Sequence, residues 1–385
     1  MSSISSITSS RDYRADLFRG IALLTIFANH FSSSALHTEW AVFKLTPSNF
    51  LYFSGAETFV FISGLVFGIV YKKFYRRNGW RACYQKALWR AWELYVANAA
   101  TLLVTLAACA VFFTTWDLDP SRFFPAVASF FAAPLQSLPA IVGMHQGLRY
   151  FAILNLYIYL LISVPLFLSL VRRSAAATAG LSLIVYGLAV AGVAEGIGAG
   201  FNVFQWQFHF VMGLLLGWYQ PSVPRSRWME AMAGAFLVVG ALDHYLLPRI
   251  ANLGLLSPDS LLLTPLPLEG KGGPLAALQF AAALYLVVMY FPRTGSLYER
   301  TWIRPVVVTG QHALPVFCAG IFLSYVGGLL TRTAVTGAFS TLLLLWVGLG
   351  LSVAIAYAVR SRSRMSKKAT PVARADSQRR VREAA

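Results

Sequence analysis

Asp16-Leu17-Phe18-Arg19-Gly20, the apolar run from Ile21 to Ala28, and then Asn29-His30 form the stretch whose reading decides the fold. Wound as an α-helix, each residue advances about 100° and 1.5 Å. Arg19 to His30 is then three full turns plus roughly 20°, over about 16 Å. Asp16 falls within roughly 40° of the same line. An acid, a guanidinium and an imidazole therefore share one narrow stripe of an otherwise apolar helix. Lipid does not tolerate such a stripe. It has to face protein or a water-filled cavity, and ionisable groups inside a membrane are candidates for function by default. The bland alternative is an Arg19 that snorkels to the interface and a His30 hydrogen-bonded in the interior.

The composition calls for a membrane. Of 385 residues, 57% are hydrophobic and 12% charged, with 10 Trp, 17 Tyr and 28 Phe; an average globular chain is about 25% charged. We expect an all-α polytopic membrane protein of about ten transmembrane helices. Residues 1–10 are Ser-rich and expected to be disordered, residues 11–360 form the membrane domain, and residues 361–385 form a basic, disordered tail held to anionic lipid. The net charge of +17 lies in loops and tails rather than on a folded patch, which argues against nucleic acid. Cys83, Cys109 and Cys318 show no metal or redox spacing. The histidines lie on separate spans without a His-Glu-x-x-His pattern, so no metal and no resident cofactor is expected. The first apolar run is not expected to be a cleaved signal peptide, because Arg19 sits close to it and Asn29-His30 interrupts its end.

Spans are expected near Asp16–Leu36, Ala56–Tyr71, Leu88–Thr115, Tyr150–Val171, Ala175–Ala194, Gln205–Trp218, Met229–Leu247, Leu275–Phe291, Ala313–Leu330 and Thr336–Val359. The weakest is Gln205–Trp218, which is short and contains His209. Prolines at 120, 125, 134 and 139 with aromatics between them mark 120–138 as interfacial or re-entrant. Lys72 to Lys86, Arg172-Arg173, Arg225 with Arg227, Arg293 to Arg304 and the tail from Arg360 are basic alternate loops. By the positive-inside rule both termini are cytoplasmic.

Orientation sets depth. Asp16 and Arg19 sit near the cytoplasmic face, with His30 in the outer half. Glu57 starts the next, antiparallel span, so it can lie level with His30. A carboxylate there would fix the imidazole tautomer and raise its basicity, as a general base requires. Equally, Glu57 can cap the first turn of its own helix. His145, His209, Asp243-His244 and His312 add polar groups in or beside later spans, and His209, His312 and Lys271 are candidates for substrate contact. The loop Glu269-Gly270-Lys271-Gly272-Gly273 is not a P-loop; it lacks the spacing and the following Ser or Thr.

Arg19, ten intervening residues and His30 resemble the Arg-x10-His motif of integral-membrane acyltransferases. Arg11 to Gly64, with Phe59-Val60-Phe61-Ile62-Ser63-Gly64, resembles the OpgC family more closely. So do Gly147-Leu148-Arg149-Tyr150 and Gly310-Gln311-His312-Ala313-Leu314-Pro315-Val316-Phe317-Cys318. The similarity runs over residues 11–360. Members of that family are described as adding succinyl groups to osmoregulated periplasmic glucans. The resemblance implies a multi-pass protein of the bacterial inner membrane. Its donor would be an acyl-CoA, succinyl-CoA or acetyl-CoA, used from the cytoplasm, and its acceptor a hydroxyl of a periplasmic glucan or other envelope glycan. His30, with Glu57 and Asp16, would then be catalytic. Arg19, Arg76, Arg77 and Arg90, with Arg81 nearby, would form the cationic entrance for the donor phosphates. The competing class is a transporter or flippase whose buried charges line a solute path; no inverted repeat supports it.

Overall fold

The computed structural model describes residues 11–38, 46–144, 148–194, 201–243, 250, 253, 272–335 and 337–383. Among these residues the chain is all helix, with no strand. The first helix, α1, is Tyr13–Ser34, capped by the Asp12 side chain, which accepts from the Arg14 N–H. Gly55–Thr115 is helical throughout except at Gly79, with φ 76° and ψ −175°. A straight helix would part residues 71 and 83 by about 18 Å, yet Cys83 Sγ lies 4.0 Å from the Tyr71 carbonyl oxygen. The chain therefore folds back at Gly79, a left-handed position that glycine occupies without a Cβ penalty. The two arms are α2 (55–78) and α3 (80–115). The basic stretch expected as a loop is thus the tip of a helical hairpin.

Three short helices follow, α4 Pro120–Phe123, α5 Pro125–Ala132 and α6 Pro134–Val142. Each opens on a proline, where the missing N–H has no helical partner to lose. Tyr95 donates to the Val142 carbonyl. Tyr95 is twenty residues, about 30 Å, back along α3 from Thr115, so the segment re-enters beside α3 instead of lying across its end. The remaining helices are α7 Ala152–Ile162, α8 Val164–Arg173, α9 Ala175–Val190, α10 Val203–Tyr219, α11 Arg227–Ala241, α12 Pro274–Tyr290, α13 Arg304–Gln311, α14 Ala313–Thr333 and α15 Ala338–Glu383.

Among the described residues, three helical stretches are long and apolar enough to cross a membrane: Gly55–Thr115, which is the α2–α3 hairpin and so holds two arms, Ala313–Thr333 and Ala338–Met365. The pair α7 and α8, bent by 54° at its break, would make a fourth. The expectation of about ten spans is therefore met only in part. Helix α1 carries its polar stripe, and α10, α11 and α12 have 17, 15 and 17 residues, at or below the lower end of the roughly 17–25 that a crossing takes. Helix α10 instead lies in the protein core, with Trp206, Phe210, Val211 and Leu214 fully buried. Helix α15 runs on through the basic residues after Arg360 to Glu383.

Helices α2 and α10 run parallel in backbone contact through two glycine pairs spaced four apart, Gly64 with Gly68 and Gly213 with Gly217. A Cβ on Gly213 would lie 2.1 Å from the Phe61 carbonyl oxygen, and one on Gly64 would lie 2.0 Å from that of Phe210. Such small-x-x-x-small faces let backbones approach where lipid supplies no hydrophobic drive. Helix α13 meets α1 the same way. A Cβ on Gly20 would strike the Val306 carbonyl, and one on Gly310 would strike that of Asp16.

Candidate functional site

The close α1–α13 contact places Gln311 against the first turns of α1. Asp16 is buried and accepts from Arg11 Nε at 2.6 Å and Nη2 at 2.9 Å, and from Gln311 Nε2 at 3.2 Å. The ion-pair partner of Asp16 is therefore Arg11. Arg19, one turn further, pairs with no carboxylate among the described residues. Its Nη2 donates to the Ile62 carbonyl at 3.3 Å, and its Nε is buried with no hydrogen-bond partner.

Arg19 instead lines a cavity of about 340 Å³ enclosed by α1, α2, α3, α7 and α14. Apolar walls come from Phe59, Phe67, Leu94, Leu154 and Phe317, and polar groups from Ser63 and Tyr157. Lys86, Trp89, Arg90 and Glu93 line it on the side of the basic hairpin. Arg90 pairs with Glu93 at 2.8 Å, and Lys86 Nζ sits 4.2 Å from the Phe74 ring centroid. A cationic mouth thus leads to a guanidinium set among apolar groups, an arrangement suited to holding an anion or a polarised carbonyl. Of the four arginines expected at a donor site, Arg19 and Arg90 line this cavity; Arg76 and Arg77 are exposed on the hairpin and do not.

His30 lies about 16 Å along α1 from Arg19, outside the cavity lining. Its ring stacks on Tyr150, with centroids 4.3 Å apart and planes at 20°, and Tyr150 packs in turn on Tyr325 at 5.1 Å. The neighbouring Asn29 donates to Ser48 Oγ at 2.7 Å and accepts from Thr46 Oγ1 at 2.5 Å, tying the segment before α2 to this turn. Phe59 packs on Phe317 at 5.9 Å and on Tyr157 at 6.4 Å. Phe317 lies one turn before Gly320, which faces Phe27, so Phe317, with Phe59 packed on it and Tyr157 packed on Phe59, forms a layer of the cavity wall at the end nearer His30.

Glu57 is fully buried. One carboxylate oxygen accepts from Ser54 N–H at 2.9 Å and Ser54 Oγ at 2.5 Å, the other from Gly272 N–H at 2.9 Å. This is the capping box of α2, the capping alternative weighed above, joined to a clamp on Gly272. Gly55 packs on Ala22, Thr25 and Ile26 of α1. His30 is five to eight residues beyond Thr25 and Ala22, about 8–12 Å further out. The expected carboxylate–imidazole pair is therefore replaced by a cap at a different depth.

His209 is buried on α10 with neither ring nitrogen hydrogen-bonded, beside Trp206, Phe208 and Phe280. His312 sits at the break between α13 and α14, next to Ala313 and Leu314 of the cavity wall; the charges facing it are Arg360, Arg11 and Asp16. Lys271, His145 and His244 lie outside the described residues. Among the described residues no three His, Cys, Asp or Glu side chains cluster as a metal site would.

Tyr157 belongs to the cavity without having been named from sequence, while Ser63, Tyr150 and Gln311 stood there only as parts of the family-like stretches and Lys86 only as one of the basic hairpin residues, none of them given a role. The family model described as OpgC protein matches residues 11–364 of this chain. No curated protein and no solved structure matches it.

Proposed function

The chain belongs to the OpgC family, and from that premise we propose that it is a membrane O-acyltransferase that moves an acyl group from a cytoplasmic acyl-CoA to a hydroxyl of an envelope glycan. The observation that carries the donor side is the cavity itself: Arg19, with an unpartnered Nε, is reached past Lys86 and Arg90. A buried guanidinium without a carboxylate is costly, and an anionic or polarised ligand offsets that cost. We place the hairpin and both termini in the cytoplasm of a bacterial inner membrane, with His30 in the outer half.

In the reaction, the acceptor oxygen bonds to the thioester carbonyl carbon and the carbon–sulfur bond breaks. The hydroxyl proton passes to a His30 ring nitrogen and then to the leaving thiolate, giving an ester and free coenzyme thiol. A positioned imidazole contributes roughly 10²–10⁴-fold to such a step. Tyr150, stacked on the ring, holds its plane. The layer of Phe59, Tyr157 and Phe317 has to part for the thioester to reach His30.

The experiment is acyl transfer by purified protein, with labelled acyl-CoA offered to a glucan acceptor. Ester formation dependent on the protein supports the proposal. Movement of the glycan across proteoliposomes without ester formation would favour a transporter.

A further inference from the structure

The cavity is small for its proposed ligand. At about 340 Å³ it stands at the low end of the roughly 300–1,000 Å³ of pockets that enclose a drug-sized molecule. A coenzyme thioester, with its nucleotide, three phosphate groups and long arm, is larger than such a molecule. Beyond the cations Lys86 and Arg90 at its mouth the walls are mostly apolar, so the phosphates have no place deep inside.

The helix faces show where the phosphates go. On α2 the cavity is lined by Phe59, Ser63, Val66, Phe67, Val70 and Tyr71. Arg77 follows Val70 by seven residues, which returns it to within about 20° of Val70 on the same face. Arg76 lies about 120° round from Val70, away from that face. On α3 the lining residues are Lys86, Trp89, Arg90, Glu93 and Leu94. Arg81, thirteen residues before Leu94, lies about 140° from it on the other side, opposite the lining stripe. Arg77 is exposed, about 10 Å beyond Val70 along α2, and Lys86 of α3 is held over the rings of Tyr71 and Phe74, between Val70 and Arg77 in the sequence of α2.

We propose that the donor is bound in two parts: the acyl group and its thioester arm inside the cavity as far as Arg19, and the phosphorylated end at and beyond its mouth, on a track made by Lys86 and Arg90 at the mouth and Arg77 outside it. Resting on the acyltransferase assignment above, this divides the basic hairpin by face. Arg77 belongs to the donor, while Arg76 and Arg81 point away from it.

The test compares two donors with the purified full-length protein: the acyl-CoA, and the same acyl group as its N-acetylcysteamine thioester, which keeps the end of the arm and lacks every phosphate. Arg77→Gln should raise KM for the acyl-CoA on the order of tenfold, the lower end for a hydrogen bond to a charged group. It should leave kcat/KM for the truncated donor within about twofold. Lys86→Gln should behave in the same way. Arg173→Gln removes an equal charge from the exposed end of α8 and should change neither donor. Equal losses with both donors, or equal effects of Arg77→Gln and Arg173→Gln, would overturn the two-part site while leaving the enzyme assignment standing. A wild-type protein that turns over neither donor would overturn the enzyme assignment, and this inference with it.

Discussion

Replacing Gly213 by alanine should part α10 from α2, the helix that gives the cavity one of its walls. The added Cβ would lie 2.1 Å from the Phe61 carbonyl oxygen, more than an ångström inside ordinary contact, and 2.9 Å from Leu65 N, both of them backbone. Backbone has no rotamer to change, so α2 and α10 must separate. Gly64, Gly68 and Gly217 share that contact and would lose it too. Overpacking of this kind costs about 1–3 kcal/mol and sometimes more; we expect about 3 kcal/mol here. The control is Gly187→Ala or Gly234→Ala. Those glycines lie within helices with nothing within 4 Å of an added Cβ, and removing a mid-helix glycine should stabilise by about 0.5–1 kcal/mol. Thermal unfolding of the detergent-purified variants reads the ranking. Because α2 also presents Phe59, Ser63, Phe67 and Val70 to the cavity, donor affinity should fall together with stability in Gly213→Ala. Equal melting temperatures for Gly213→Ala and Gly187→Ala would refute the backbone contact.

Arg19→Gln should weaken acyl-CoA binding roughly 10- to 150-fold, the range of about 1.5–3 kcal/mol for a hydrogen bond to a charged group, while the protein still inserts; isothermal titration with unchanged affinity would remove Arg19 from the donor site. Glu57→Gln puts an amide N–H₂ opposite either Ser54 or the Gly272 N–H, at about 1–3 kcal/mol. It should lower the melting temperature while keeping most of the turnover per folded molecule, and a large loss of kcat at unchanged stability would return Glu57 to the catalytic group. Cysteine labelling should reach Arg81→Cys only from the cytoplasm and Lys271→Cys only from outside; the reverse would invert the depth assigned to His30.

The helical period of α1 made Asp16, Arg19 and His30 legible as one stripe, because spacing along a single helix is written in the sequence. Their separate fates were not. Arg11 and Gln311 claim Asp16 across the start of α1 and from a residue 295 positions away, and such partners follow from packing. Glu57 was legible as a cap on the first turn of its own helix, but that Ser54 and the distant Gly272 N–H hold it there, away from His30, follows from packing. The glycines at 64, 68, 213 and 217 were visible as spacings, but which two helices meet is a tertiary fact. Gly79 is the reverse case. It stands among good helix formers, so the basic stretch became helix on both sides and the whole turn fell on one residue. The stacking of Tyr150 on His30 joins residues 120 apart, and nothing local announces it.

Turnover by His30→Asn tests the central claim most directly. Asparagine keeps polarity and hydrogen bonding but cannot take the acceptor proton. Acyl transfer from acyl-CoA to glucan should be measured on membrane-inserted, folded protein, beside His312→Ala and His209→Ala. The account predicts a loss of roughly 10²–10⁴-fold for His30→Asn and a clearly smaller loss for the other two. Near wild-type turnover in His30→Asn, with turnover abolished in His312→Ala, would contradict it and move the base to the helix break beside Asp16.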